Sequence, residues 1–285
     1  MAEWVMHSKD ALALLERELQ RRAGHVEAAL DGEALGRRTY LLKPGELLFR
    51  IPPDTLVHYR LGSGLTVDPG KGTHPAEIDL FCDGSIAAAV TAIAGLYPFH
   101  GSAVGVGGRA VILTGPSGAG KTTLATGLAL AGMPLLADDL SVIVDGEDGP
   151  EVLPWRKKPK LWPDAFAMTG AVKGRQVSPE YAKFFAEGLP RAGWPLPLGA
   201  LVLLEDGERS FGPLGGAAAI AAWSAEHYCS EFLALARRWD RAAVFADAAA
   251  RARSVSAWRL ALPHAHGEYT ANLDFARDAI ERAMR

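Results

Sequence analysis

The chain has 285 residues, 49% of them hydrophobic and 22% charged, which is enough to bury a sizeable core in one large unit or two ordinary ones. Its net charge of -3 argues against broad nucleic-acid binding, and its two cysteines, Cys82 and Cys229, lack metal-ligand or C-x-x-C spacing, so a reduced compartment is expected. Acids come early in the N-terminal stretch, and the longest mostly apolar run, residues 86–99, is too short for a bilayer and holds Gly95 and Pro98. A cytoplasmic protein without a membrane partner is expected.

Residues 9 to about 30 read as an amphipathic helix, with Leu12, Leu15 and Leu19 at helical spacing and Ser8 as N-cap. From residue 39 to about 81 the texture changes to short apolar runs separated by Pro, Gly and Asp, the last being Ile78-Asp79-Leu80-Phe81. That pattern predicts a small β-rich region. Residues 84–96 read as a buried helix. The expected organisation is an N-terminal α+β region over residues 1–95, followed by an α/β domain over residues 96–285.

In the second part, two β-prone runs flank Gly107-Gly108, a dipeptide suited to a two-residue hairpin turn. A glycine-rich loop follows, then a helix over residues 122–131 ended by Gly132, and a short strand leading to Asp138. Residues 145–199 read mainly as loops with a helix near 179–188. "LGALVLLEDG" and "VSAWRLAL" read as strands, residues 215–253 as helical pieces, and residues 270–285 as a closing amphipathic helix.

Gly115, Pro116, Ser117, Gly118, Ala119, Gly120, Lys121 and Thr122 satisfy the pattern G-x-x-x-x-G-K-[ST], with Thr123 just inside the helix. A polyphosphate needs several backbone N–H groups converging on its oxygens. Glycines allow that close approach, and the following helix N-terminus adds a favourable dipole. In such a loop Lys121 supplies charge to the β- and γ-phosphates and the Thr122 hydroxyl reaches Mg²⁺, which makes ATP and Mg²⁺ the expected cofactors.

"LLADDLS" sets two adjacent acids, Asp138 and Asp139, inside an otherwise apolar run. A crossover helix from the strand before the loop returns the chain in the same direction, so both acids are expected at the sheet edge that carries the loop. If Gly107 and Gly108 form the turn, the same register sets His100 opposite Gly115. Two acids there can divide the work, one helping to hold the metal and the other accepting a proton from an attacking hydroxyl. Spacing does not say which does which. Asp145 and the Glu205-Asp206 pair are rival strand-end acids.

His100-Gly101, the loop of residues 115–122 and the acid pair together resemble the catalytic domain of HPr kinase/phosphorylase. That P-loop group phosphorylates protein serine and is structurally akin to phosphoenolpyruvate carboxykinase. The resemblance implies a kinase fold of that type and a catalytic group of His100, Lys121, Asp138 and Asp139, with Thr122 and the acids at the metal. The family's second signature, Glu-x-Arg-Gly-Leu-Gly, is absent from the sequence. The resemblance is therefore to a divergent relative, similar to the kinases of lasso-peptide and other modified-peptide biosynthesis, whose partner is a precursor peptide with an acceptor serine.

"PWRKKPKLWP" concentrates cations, tryptophans and prolines after the expected catalytic edge, and offers Arg156, Lys158 and Lys160 for binding a peptide or a transferring phosphoryl group. A small-molecule kinase and a nucleotide-dependent switch without an acceptor are the alternative functions. His264 and His266 have H-x-H spacing but no companion acids or cysteines with metal-site spacing, so a surface loop is expected. Composition leaves a homo-oligomer open.

Overall fold

Helix α1 covers Ser8–Glu18 in the computed structural model, which describes residues 7–35, 40–225 and 241–285. The helix is shorter than its periodicity suggests, because Arg21–Ala23 turns away as β1 and pairs in parallel with β6 (Gly64–Asp68). His7 holds the cap position, not Ser8, and makes no side-chain cap bond. Between β1 and β6 lie β2 (Glu33–Leu35), β3 (Tyr40–Lys43), β4 (Glu46–Ile51) and β5 (Thr55–Arg60). They complete a six-stranded sheet in the order β1-β6-β5-β4-β3-β2.

The run expected as the last strand of this region is instead α2 (Pro75–Phe81). Pro75 fits the first helical turn, where its missing N–H costs nothing, and the His74 ring accepts the Ala76 N–H as a cap. A π-turn at Cys82–Ile86 leads into α3 (Ala87–Ile93), and together they supply the buried helix expected there. Small side chains let α3 pack on two sides. Ala89 and Val90 meet the six-stranded sheet at Phe49 and Tyr59, while Ala87 and Ala88 meet Leu15 of α1 together with Leu140 and Val142.

The second part of the chain begins with β7 (Tyr97–His100), β8 (Ser102–Val106) and β9 (Arg109–Thr114). The hairpin is as expected, with Val106 facing Arg109 and Ser102 facing Leu113, and both turn glycines have positive φ. Then come α4 (Lys121–Leu130), β10 (Leu135–Ala137), β11 (Leu140–Gly146) and β12 (Gly149–Val152). Strand β10 runs in the same direction as β9, as a crossover requires, but β8 lies between them and pairs antiparallel with both.

A small sheet follows, made of β13 (Lys160–Leu161), β14 (Val172–Ser178) and β15 (Tyr181–Glu187). The helix expected near 179–188 is strand β15, and the helix of this region is α5 (Pro163–Thr169), with Pro163 at its start and left-handed Gly170 at its end. Phe184 and Phe185 stand opposite Leu161 and Lys160, a pairing that outweighs the helix propensity of the flanking Ala and Lys.

Strand β16 (Leu196–Asp206) runs parallel to β9, and then come β17 (Ser210–Leu214), α6 (Gly216–Ala225), α7 (Arg241–Ser254), β18 (Ser256–Leu262) and α8 (Tyr269–Ala283). The nine-stranded sheet has the path β10-β8-β9-β16-β12-β11-β7, with β18 on β16 and β17 on β18. Alternate residues of β9 face opposite layers. Val111 and Leu113 pack with Leu124 and Leu128 of α4 and Ile280 of α8, whereas Ile112 shares a cluster with Trp223 of α6 and Ala248 of α7. The chain is thus a mixed α/β protein with three sheets among its described residues. No helix among them is long and apolar enough to cross a membrane.

Candidate functional site

The candidate site sits where two strands turn a corner. Strand β7 pairs with β11, but after Gly101 the chain enters β8 and pairs with β9 instead. Strand β10 pairs with β8, but after Asp138 and Asp139 the chain enters β11 and pairs with β7. Bends of this kind carry a strand from one part of a curled sheet to another. Gly101 is required at its corner, since a Cβ there would lie 2.8 Å from the Leu113 carbonyl oxygen.

At the other corner Asp139 has φ +67°, and the Leu140 N–H donates to the Asp138 carbonyl oxygen at 2.8 Å, closing a tight turn around a left-handed residue. The two corners hold each other. Ser102 Oγ donates to Asp138 Oδ1 at 2.7 Å, and Ser141 Oγ donates to the Gly101 carbonyl oxygen at 3.0 Å. An acid pair in an apolar run therefore marks the place where the run stops being one strand.

His100 reaches this corner by a different route from the expected one. It stands opposite Leu140, not Gly115, because hairpin pairing ends at Ser102. Its carbonyl oxygen accepts from Thr114 Oγ1 at 3.2 Å, and its Nε2 lies 3.6 Å from Asp139 Oδ1.

The loop after β9 has positive φ at Gly115, Gly118 and Gly120. A Cβ on Gly115 would strike the Leu204 carbonyl oxygen at 2.6 Å, while Gly118 and Gly120 face open space. Gly120 caps α4 without a side-chain bond, so the first helical N–H groups are available to an anion. Lys121 is buried and its ammonium donates back to the carbonyl oxygens of Gly115 at 2.6 Å and Pro116 at 3.2 Å.

The two acids occupy opposite electrostatic situations. Asp138 is 1% exposed, and its Oδ2 has no hydrogen-bond partner among the described residues. Burial and the charge of Asp139 push its carboxyl up from the ordinary 3.8, against the Ser102 and Thr122 hydroxyls, which favour the ionised form. Burial also works to raise Asp139, but His100, Lys157 and Lys160 outweigh it and hold that carboxyl far below the usual range. Lys157 Nζ lies 2.5 Å and Lys160 Nζ 3.4 Å from Asp139 Oδ2.

Of the three cations expected to serve a substrate, Lys160 is at the acid pair. Arg156 instead pairs with Glu16 of α1 at 2.7 Å, and Lys158 with Glu187 of β15 at 2.9 Å. The inward cation that sequence reasoning missed is Lys157, whose burial pushes its ammonium pKa down while Asp139 holds it up. Arg191 was missed as well. Its guanidinium donates to the carbonyl oxygens of Trp155 and Lys157, fixing the backbone that carries Lys157, and it feels the charge of Asp138.

The rival acids are engaged elsewhere. Asp145 precedes the β11–β12 turn and pairs with Arg251, Glu205 pairs with Arg259, and Asp206 accepts the His264 N–H. No cluster of three or more His, Cys, Asp or Glu suited to a metal occurs among the described residues. The side chain of His266 and the whole of Cys229 lie outside them. A cleft of about 630 Å³ opens beside Lys157 and Lys160, between α1 and α2 on one side and residues 154–160 with β14 and β15 on the other.

No family model matches the chain, and no curated protein matches it. Among solved structures, the chain is similar to the HPr(Ser) kinase/phosphatase from Coxiella burnetii, at 11% identity and a TM-score of 0.35. The match covers 65% of this chain and 90% of that one.

Proposed function

We propose that the chain is an ATP- and Mg²⁺-dependent phosphotransferase that delivers the γ-phosphoryl group to a serine-type hydroxyl of a peptide or small protein. One observation carries the reading. The acid pair presents an unpartnered buried oxygen of Asp138 on the Thr122 side and a cation-saturated Asp139 whose two lysines, Lys157 and Lys160, line the cleft. A pure nucleotide switch has no use for that second half.

The open faces of Gly118 and Gly120 and the uncapped start of α4 suit the phosphates, and Lys121 exchanges its loop carbonyls for their oxygens. Asp138 Oδ2 and the Thr122 hydroxyl are the oxygens that would hold a Mg²⁺, a hard cation that takes oxygen ligands. Bound Mg²⁺ supplies charge stabilisation at the transferring phosphoryl group.

Asp139 accepts the hydrogen bond of the acceptor hydroxyl and aims its oxygen at the γ-phosphorus. As the O–P bond forms and the bond to the leaving diphosphate breaks, the hydroxyl proton passes to Asp139 and then to solvent. A loose transition state asks little proton transfer early, so a carboxylate of low basicity is adequate. Lys157 and Lys160 stand ready for the equatorial oxygens.

Transfer from γ-labelled ATP in Asp138→Asn and Asp139→Asn variants tests this reading, and full activity in both would end it. The pH profile tells the acids apart. With Asp139 as acceptor, kcat/KM has no acid limb near neutrality. The raised pKa of Asp138 favours a second reading, with Asp138 as base, and that reading requires such a limb.

A further inference from the structure

We infer that the cleft beside Lys157 and Lys160 is the acceptor-docking site, and that its occupant is an extended peptide segment carrying a carboxylate about three residues from the acceptor hydroxyl. The inference rests on the kinase reading above. It gives the N-terminal helices a part in substrate recognition.

Size is the first argument. A free hydroxy amino acid would leave most of the 630 Å³ to water, whereas a short peptide segment fills a space of this order. The lining is the second. Leu12 and Leu15 of α1 and Leu19 at its end, with Pro154 and Trp155, give apolar surface for a hydrophobic side chain. The inner end is closed by Lys157 and Lys160, the residues that hold Asp139, so a segment lying in the cleft ends at the acid pair.

Charge fixes the third feature. Along the loop and hairpin wall, Arg156, Lys158 and Lys160 already have carboxylate partners. Arg175 has none among the described residues. Its guanidinium lies over the Phe185 ring, 5.1 Å from the centroid, and it lines the cleft. An exposed guanidinium with one face on an aromatic ring keeps its edge free for a carboxylate.

Sheet geometry gives the spacing. Lys160 on β13 stands opposite Phe185 on β15, and Arg175 reaches Phe185 from β14 on the far side. Two strand spacings amount to roughly 10 Å, the span of about three residues of extended chain at about 3.3 Å each. On the facing wall Glu16 is paired with Arg156, and Asp79 and Asp83 with Arg21, so none of these acids competes for Arg175.

The test uses synthetic decapeptides with one serine and one leucine, carrying Glu or Lys at three or at one residue from the serine on either side, together with free L-serine, all with labelled ATP. The wild type is expected to favour Glu over Lys at the three-residue position on one side by roughly fivefold to tenfold in kcat/KM, and to use free serine poorly. Arg175→Glu reverses that order and Arg175→Lys keeps it. Because the ratio is taken within each variant, it does not depend on how much of the variant folds. An order unchanged in Arg175→Glu overturns the inference, as does free serine matching the peptides. ATP turnover that requires Asp138 but phosphorylates no peptide overturns the docking site and leaves the nucleotide site standing, whereas absence of ATP binding overturns the kinase reading itself.

Discussion

The glycine-rich loop of residues 115–120 and the cationic stretch of residues 154–160 each lead to one buried lysine, Lys121 and Lys157, and they do so by unlike means. Lys121 is held by carbonyls six and five residues back along its own loop. Lys157 is held by a carboxylate 18 residues away, on backbone fixed by an arginine 34 residues away. The first arrangement is written in consecutive residues. The second exists only once two corners, a loop and the residues 190–192 that bridge to Leu135 have come together.

The difference has experimental consequences, and the largest is at the local element. Lys121→Ala should lower phosphoryl transfer by about 10²–10³-fold while circular dichroism shows an unchanged fold, since the loop conformation depends on glycine φ values and not on the ammonium. Asp138→Asn should lose transfer to a similar extent yet raise the melting temperature of the ligand-free protein by about 2 °C at pH 7. Its carboxyl is raised on folding, so the native state binds the proton more tightly than the unfolded chain. Stability therefore falls as pH rises from the unfolded value near 3.8 through the folded one, and the gain from asparagine should vanish below about pH 3.8. A melting series across pH checks this.

Lys157→Met comes next. It leaves Asp139 with Lys160 and His100 alone and should cost about 2 kcal/mol in urea unfolding together with about tenfold or more in transfer. Arg191→Lys keeps a cation but loses the fork that spans two carbonyls, and should lower kcat/KM by about tenfold through misplacement of Lys157. Smallest is the bridge between Arg156 and Glu16. Both ends are largely exposed, so Glu16→Gln should change stability by no more than about 0.5 kcal/mol.

What the sequence disclosed follows the same division. Turn glycines announced the hairpin and the loop, and apolar periodicity announced the closing helix, because those signals act within a few residues. The α5 helix carried an equally local signal in Pro163 and Gly170, and it was overshadowed by the helix-prone Ala and Lys around the β15 aromatics. His100 lies beside Asp139 but opposite Leu140 and not Gly115, since nothing local says that a hairpin stops pairing one residue after Gly101. That Lys157 and Lys160, and not Arg156 or Lys158, turn toward Asp139 has no periodic signature at all. Arg191, the lone cation in a stretch rich in Pro and Gly, has none either.

The left-handed backbone at Asp139 also governs how its charge can be probed. Aspartate, asparagine and glycine tolerate that conformation, whereas a residue with an ordinary Cβ pays about 1 kcal/mol or more to adopt it. Asparagine therefore removes the charge and leaves the bend. Alanine would loosen the bend as well, and with it the hold that Ser141 and Ser102 keep across the two corners, so a scan built on alanine would credit to electrostatics what belongs to chain geometry.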